Sequence, residues 1–286
     1  MFDRLAVLPQ YLLPKQALTE CMGRLAGIEG GAKTAAVIRW FVRRYGVDMA
    51  EAANPDISSY RSFNEFFTRP LREGARPLAE ADYVCPVDGA ISQCGALDGA
   101  QLIQAKGHQY SAAALLGGDV ALAERFHGGH FATIYLSPRD YHRIHMPCEG
   151  RLRQMVHVPG ELFSVNPLTA RAVPGLFARN ERVVCIFDSD AGPFALVLVG
   201  ATIVGSMATV WHGVVNPPRR RAPREWSYVD GEVVLQQGEE MGRFLLGSTV
   251  VLLFPKDVMQ LAQGWEAGSP VRLGQAMGQR LASGSN

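Results

Sequence analysis

FLLGSTVVLLF, residues Phe244–Phe254, is an apolar run in which Gly247 and Ser248 form the one break. Its second half, Thr249–Phe254, belongs to a set of short apolar stretches separated by glycine. The others are Gly129–Leu136, Val183–Phe187, Phe194–Val199 with Ala201–Val204, and Gly231–Leu235. Turn signals recur between them at strand-like intervals, which predicts a mainly antiparallel β core from about Tyr83 onward.

The break itself carries chemistry. A Gly-Ser bond can be severed by its own side chain, because the serine hydroxyl attacks the preceding carbonyl and glycine leaves that carbonyl unshielded. Elimination across Cα–Cβ of the resulting ester gives dehydroalanine, whose hydrolysis leaves a pyruvoyl ketone on a new chain start. That ketone is an electrophile absent from the standard side chains, and it condenses with amines. The structural alternative is a bulge or a close packing contact, the usual reason for glycine in a strand.

Upstream the pattern is helical. Leu18, Cys21, Met22, Leu25 and Ile28 share one helix face, which Glu29-Gly30-Gly31 ends. A second helix, from about Ala32 to Tyr45, carries Val37, Trp40, Phe41 and Tyr45 on one side and Lys33, Arg39, Arg43 and Arg44 on or beside the other. Basic amphipathic helices with Trp and Phe lie in membrane interfaces, and equally pack such a face on a core. Ser62 and Glu65 form a capping pair that opens a short helix limited by Pro70. The fold class expected is α+β, with a helical region over residues 1–78 and a β-rich region over 79–286.

Two further clusters hold polar chemistry. In Ser137-Pro138-Arg139-Asp140-Tyr141-His142-Arg143-Ile144-His145, the Ser-Pro start and Asp140 predict a helix whose turn puts His142 and His145 on one face. Neutral imidazoles suit proton transfer near pH 7. The His-Glu-x-x-His pattern of zinc enzymes is absent, so no metal is expected. Asp88-Gly89, between apolar residues, reads by default as a hairpin turn. Its functional reading has Asp88 orient a histidine that takes the Ser248 proton.

The chain as a whole constrains the reading. Its 286 residues suit one large domain or a core with an appendage, and 48% hydrophobic with 19% charged residues describe a globular protein. A formal net charge of +1 suggests no nucleic-acid partner. Five scattered cysteines without a CxxC spacing point to free thiols in a reducing compartment. No apolar run approaches the roughly 18 residues of a membrane-spanning helix. Met1-Phe2-Asp3-Arg4 does not read as a secretory signal, so a soluble or surface-bound intracellular protein is expected. The basic cluster Arg219-Arg220-Arg221 with Arg224 reads as a solvated loop, and residues from about Gly268 to Asn286 as a loose tail.

Eight blocks in order then resemble the phosphatidylserine decarboxylases of the membrane-associated bacterial type. They are FNEFFTRPLREGARP (Phe63–Pro77), PVDGAI (Pro86–Ile91), KGHQYSAAALLG (Lys106–Gly117), YLSPRDYHRIHMPCEG (Tyr135–Gly150), GELFSVNP (Gly160–Pro167), NERV (Asn180–Val183), VGATIVGSM (Val199–Met207) and FLLGSTVVLLFP (Phe244–Pro255). The resemblance implies cleavage at Gly247–Ser248 into a β chain of residues 1–247 and an associated α chain of 248–286 that begins with pyruvoyl. It implies an Asp88–His145–Ser248 triad for self-cleavage, His142 as the acid of decarboxylation, and Leu162, Phe163, Ser164 and Val165 as pocket wall. The implied reaction converts phosphatidylserine to phosphatidylethanolamine through a Schiff base to the pyruvoyl group. The implied setting is peripheral, on the anionic cytoplasmic face of a bacterial inner membrane, and a homodimer stays open. The competing classes are an Asp-His-Ser hydrolase with an intact serine, against which the GxSxG elbow is missing, and a non-catalytic lipid-binding module.

Overall fold

The computed structural model describes residues 2–203, 206–216, 222–229, 231–246 and 249–281. Gly247, Ser248 and the arginines 219–221 lie outside the described residues.

Three helices come first: α1 (Phe2–Leu12), α2 (Lys15–Ala26) and α3 (Ala32–Tyr45). The chain leaves α3 through Gly46, whose φ of 69° is the left-handed conformation that glycine adopts without a Cβ penalty. The short helix α4 (Phe63–Phe67) starts as its sequence requires, with the Ser62 side chain accepting from the Glu65 amide at 3.1 Å. Phe41 of α3 packs edge-on against Phe63, Phe66 and Phe67, and this aromatic group with Ile38, Val47 and Tyr60 forms a helical core of its own.

The β region is antiparallel in every strand pairing described. Its main sheet runs in the order Arg224–Ser227, Gly150–Val158, Arg182–Ser189, Gly192–Val199, Thr249–Phe254, His130–Tyr135, Gly89–Ala96, Pro270–Val271. Thr249–Phe254 is thus interior and buried along its whole length. Val251 and Leu253 face one core, while Val250, Leu252 and Phe254 face the other. Two-sided burial explains why this strand reads as a continuous apolar run and not as an alternation. Each of these side chains contributes about 1.5–3 kcal/mol by leaving water.

A second sheet, in the order Gly213–Val214, Met207–Thr209, Glu240–Phe244, Arg143–His145, covers part of one core face with Met207, Met241, Phe244 and Ile144. Residues 245–248 therefore link the end of a strand in this sheet to the start of the buried strand in the other. The Leu245 amide donates to the Ser206 carbonyl at 3.0 Å.

Three local expectations are corrected. Residues 137–145 form no helix: the Asp140 carboxylate accepts from the Ser137 amide at 2.6 Å, closing a turn, and Arg143–His145 continues as a strand paired with Glu240–Phe244. Sheet pairing outweighs the local helix-start signal. Asp88-Gly89 makes no hairpin, because Tyr83–Val84 pairs with Ala276–Arg280 whereas Gly89–Ala96 pairs with His130–Tyr135. Gly89 is instead required by close approach, since a Cβ there would collide with the Tyr135 carbonyl oxygen. Finally, residues 268–281 are no loose tail: Pro270–Val271 and Ala276–Arg280 are strands, and Met277 is buried. Residues 282–286 lie outside the described residues.

Candidate active site

The flanks of the Gly247–Ser248 link locate the site. The Phe244 amide donates to the His142 carbonyl at 3.0 Å, and Thr249 pairs with Tyr135 on one side and Val199 on the other. Leu246 packs against both the helical core and the main core. The described flanks, Phe244–Leu246 and Thr249, thus lie against the Tyr135–His142 segment and the strand that ends at Val199.

His142 and His145 do not share a face. Three residues apart on extended chain, they project to opposite sides. His142 is fully buried, with its ring 4.1 Å from that of Phe67. Its Nδ1 lies 2.7 Å from the Asp140 carbonyl oxygen, an acceptor, so Nδ1 carries the proton. Nε2 holds a lone pair and has no hydrogen-bond partner among the described residues. Burial pushes the His142 pKa down to about 3; the Asp140 carbonyl opposes this and the Arg69 charge adds to it.

His145 is ordered by backbone groups. Its amide donates to the Pro86 carbonyl at 2.9 Å, and its Nδ1 lies 2.8 Å from the Gly238 carbonyl oxygen. Nδ1 is therefore the protonated nitrogen, leaving Nε2 as the basic one, 3.3 Å from the Tyr141 hydroxyl. Burial lowers the His145 pKa, while the Gly238 carbonyl, Glu240 and Asp88 pull it back. Burial also pushes Tyr141 up to about 12, so its hydroxyl stays protonated at neutral pH.

Asp88 makes no hydrogen bond to a histidine among the described residues. Oδ1 accepts from Arg76 Nε at 2.9 Å and from the Leu273 amide at 2.9 Å, and Oδ2 from Arg76 Nη2 at 2.6 Å. Arg76 Nη2 also donates to Glu51 at 2.7 Å, and Arg272 lies 3.3 Å from the same Glu51 carboxylate. The Arg76 hydrogen bond holds Glu51 below the usual carboxylate range. Asp88, Arg76, Glu51 and Arg272 line a polar cavity of about 320 Å3 together with Asp140 and Tyr141, and Tyr141 connects it to His145.

An apolar cavity of about 790 Å3 lies on the other side of the Ser137–Tyr141 turn. Leu25 and Trp40 of α2 and α3 wall it from outside, and Tyr135, Leu246 and Ile203 from the β core. Of the pocket residues expected from sequence, Ser164 and Val165 line it. Leu162 and Phe163 do not. Phe163 packs beneath Tyr11 of α1 at 4.9 Å, with Lys15 over its ring, and the Leu162 carbonyl accepts from Thr202.

The face expected on α3 divides in the structure. Phe41 turns inward, whereas Val37 and Trp40 remain 52% and 60% exposed at the cavity rim. No helix of the described residues is long and apolar enough to cross a membrane. Sequence reading missed Arg76, Glu51, Arg272, Tyr141 and the Gly238 carbonyl. Arg76 lies inside the FNEFFTRPLREGARP block, and Tyr141 inside YLSPRDYHRIHMPCEG, but nothing local marks their partners.

Comparison with known proteins identifies the family. A family model described as phosphatidylserine decarboxylase matches residues 63–279, and a second, described as PSD, matches residues 5–46. A phosphatidylserine decarboxylase proenzyme of Azoarcus sp. (strain BH72) is 71% identical over 278 residues, covering 97% of this chain and 96% of the relative. That of Acidovorax ebreus (strain TPSY) is 71% identical over 280 residues, covering 98% and 99%. That of Dechloromonas aromatica (strain RCB) is 66% identical over 278 residues, covering 97% and 99%. With matches over nearly its full length, the chain belongs to the phosphatidylserine decarboxylase family and is a decarboxylase of that family.

Proposed function

We propose that the chain is a self-cleaving precursor that converts phosphatidylserine to phosphatidylethanolamine. The observation that carries this is the placing of the flanks: Phe244 bonds the His142 carbonyl, Leu246 lines the apolar cavity, and Thr249 opens the buried strand.

In self-cleavage, Ser248 Oγ attacks the Gly247 carbonyl carbon and the basic Nε2 of His145 takes the hydroxyl proton. The peptide C–N bond breaks as the ester forms. Loss of the Ser248 Cα proton then expels the Gly247 carboxylate, and one water releases ammonia from residue 248. The β chain ends at Gly247 and the α chain begins at 248. Asp88 acts on His145 through its charge, which opposes the effect of burial.

The fit of a pyruvoyl group at residue 248 is supported by the unpartnered Nε2 of His142, a buried polar atom whose backbone bonds to Phe244. When present, that group supplies an electron-withdrawing carbonyl that makes a Cα–carboxylate bond labile. His142 is neutral in this state, with Nε2 free. It takes a proton from the ammonium of the lipid headgroup, which frees the amine as a nucleophile, and returns it to the substrate Cα after CO2 departs. Phe67 and the Asp140 carbonyl hold the ring for both transfers. The apolar walls favour loss of the carboxylate charge, because an ionised group is poorly solvated there.

The helical region 1–78 and the β region 79–286 divide the remaining work. The exposed Leu25, Ile28, Val37 and Trp40, with Lys33, Arg39, Arg43 and Arg44, suit an anionic membrane surface on the cytoplasmic side, and the acyl chains enter the cavity that α2 and α3 wall.

Intact mass under denaturing conditions tests the proposal. Wild type should give chains 1–247 and 248–286, the smaller blocked at its first residue. Ser248→Ala should give one uncut chain that releases no CO2 from phosphatidylserine vesicles. An active enzyme that is a single unmodified chain would refute it.

A further inference from the structure

Building on the self-cleavage reading above, we propose that Arg76 is a positioning residue of that reaction: shared between Asp88 and Glu51, its guanidinium sets where the Asp88 carboxylate points and how much of its charge reaches His145.

The geometry is specific. Arg76 presents Nε and Nη2 to the two oxygens of Asp88 as a fork, Nη2 is divided with Glu51, and Nη1 donates to the Ala75 carbonyl at 2.8 Å. The Arg76 side chain is 7% exposed and that of Asp88 9%. With the Leu273 amide also on Oδ1, the Asp88 oxygens are engaged by groups other than histidine. A buried carboxylate held in this way keeps a single orientation.

The charged surroundings come from three directions. Asp48, Glu51, Arg69 and Arg76 share the cavity with Asp88 from the N-terminal part of the chain. Arg139, Asp140 and Tyr141 face it from the turn, with His145 behind Tyr141. Arg272 closes the cavity from the segment that becomes the α chain. Arg76 and Arg272 match Asp88 and Glu51 in charge. Glu51 therefore competes with Asp88 for Arg76, and removing one competitor changes Asp88 in the opposite sense from removing the shared cation.

The experiment follows the self-cleavage of freshly translated full-length precursor by denaturing gel and intact mass as a function of pH, with the melting temperature of the uncut precursor measured in parallel. Arg76→Lys retains a charge but not the fork, and should slow cleavage about ten- to a hundredfold through misplacement of Asp88. Arg76→Gln, which removes the charge as well as the fork, should raise the midpoint of the acid limb by about one pH unit, the smaller end of the effect of an opposite charge on a carboxylate. Glu51→Gln, at a half-buried site that tolerates the amide, should move the same midpoint down.

A merely structural role for Arg76 would lower the melting temperature without these opposed displacements. Asp88→Asn separates the two readings. If it cleaves at the wild-type rate, the triad reading fails. If Asp88→Asn is blocked while both Arg76 variants and Glu51→Gln keep the wild-type profile, the positioning role of Arg76 alone is overturned. Should the Arg76 variants not fold, an unmoved midpoint in Glu51→Gln overturns it.

Discussion

The Nδ1 atom of His145 lies 2.8 Å from the carbonyl oxygen of Gly238. A main-chain acceptor, not a carboxylate, selects the tautomer that leaves Nε2 basic. In the triad proposed above, the part assigned to aspartate would thus be divided between Gly238, which orients the ring, and Asp88, whose charge opposes the effect of burial on His145.

His145→Gln should yield a folded, uncut precursor. Its amide can still donate to Gly238 but offers no base for the Ser248 proton. Cleavage should slow by about 10²–10⁴-fold, the range ascribed to a positioned general base, as read by intact mass over time. Cleavage at the wild-type rate would remove His145 from the reaction.

Acid should destabilise the precursor through His142. The folded-state pKa is about 3, below the ordinary 6.5, so its contribution to stability is complete above about 6.5 and is lost as pH falls toward 3. Between pH 6.5 and pH 5 the loss amounts to about 2 kcal/mol. Urea melts of Ser248→Ala precursor should show it, and the same melts with His142→Gln added should show a flatter dependence. His145, also lowered by burial, adds a contribution of the same sign that remains in both proteins.

Membrane binding should depend on the outer face of α3. Arg39→Gln and Arg43→Gln should each weaken sedimentation with phosphatidylserine-containing vesicles by about 1 kcal/mol, near fivefold, and high salt should diminish the difference. Trp40→Ala should weaken binding to anionic and neutral vesicles alike, since what it loses is apolar contact. Unchanged partitioning in all three variants would place the docking face elsewhere.

The two chains should stay together after the cut. Thr249–Phe254 is buried between Gly192–Val199 and His130–Tyr135, and Leu273 and Arg272 bond Asp88 and Glu51 across the new chain boundary. Native gel filtration of processed protein should show one species and denaturing gels two. Leu252→Ala, which opens a cavity in that strand, should cost about 2–5 kcal/mol and promote loss of the small chain.

The local pattern was sufficient to read α2, α3 and α4 and most strand-forming runs, although Thr202 and Ile203 lie in a turn and only Val234–Leu235 of the Gly231–Leu235 run is a strand. Helix faces, caps and apolar runs are properties of neighbouring residues, and peptide-bond chemistry belongs to two residues alone. The same local reading misled at residues 137–145, where a helix-start signal met a strand partner nearly a hundred residues away, with His145 opposite Glu240. It misled again at Gly268 onward, because a composition poor in bulky residues gives no sign of the edges that Pro270–Val271 and Ala276–Arg280 complete.

What the amino-acid sequence determined by itself was the inventory: a helical segment, an antiparallel core, a Gly-Ser bond, two histidines and an aspartate. Tertiary structure alone decided who touches whom. Asp88 meets the Leu273 amide across 185 positions and His145 meets Gly238 across 93. Main-chain groups such as these look the same at every residue, so only the folding of distant strands onto one another selects which carbonyl holds an imidazole and which cation holds a carboxylate.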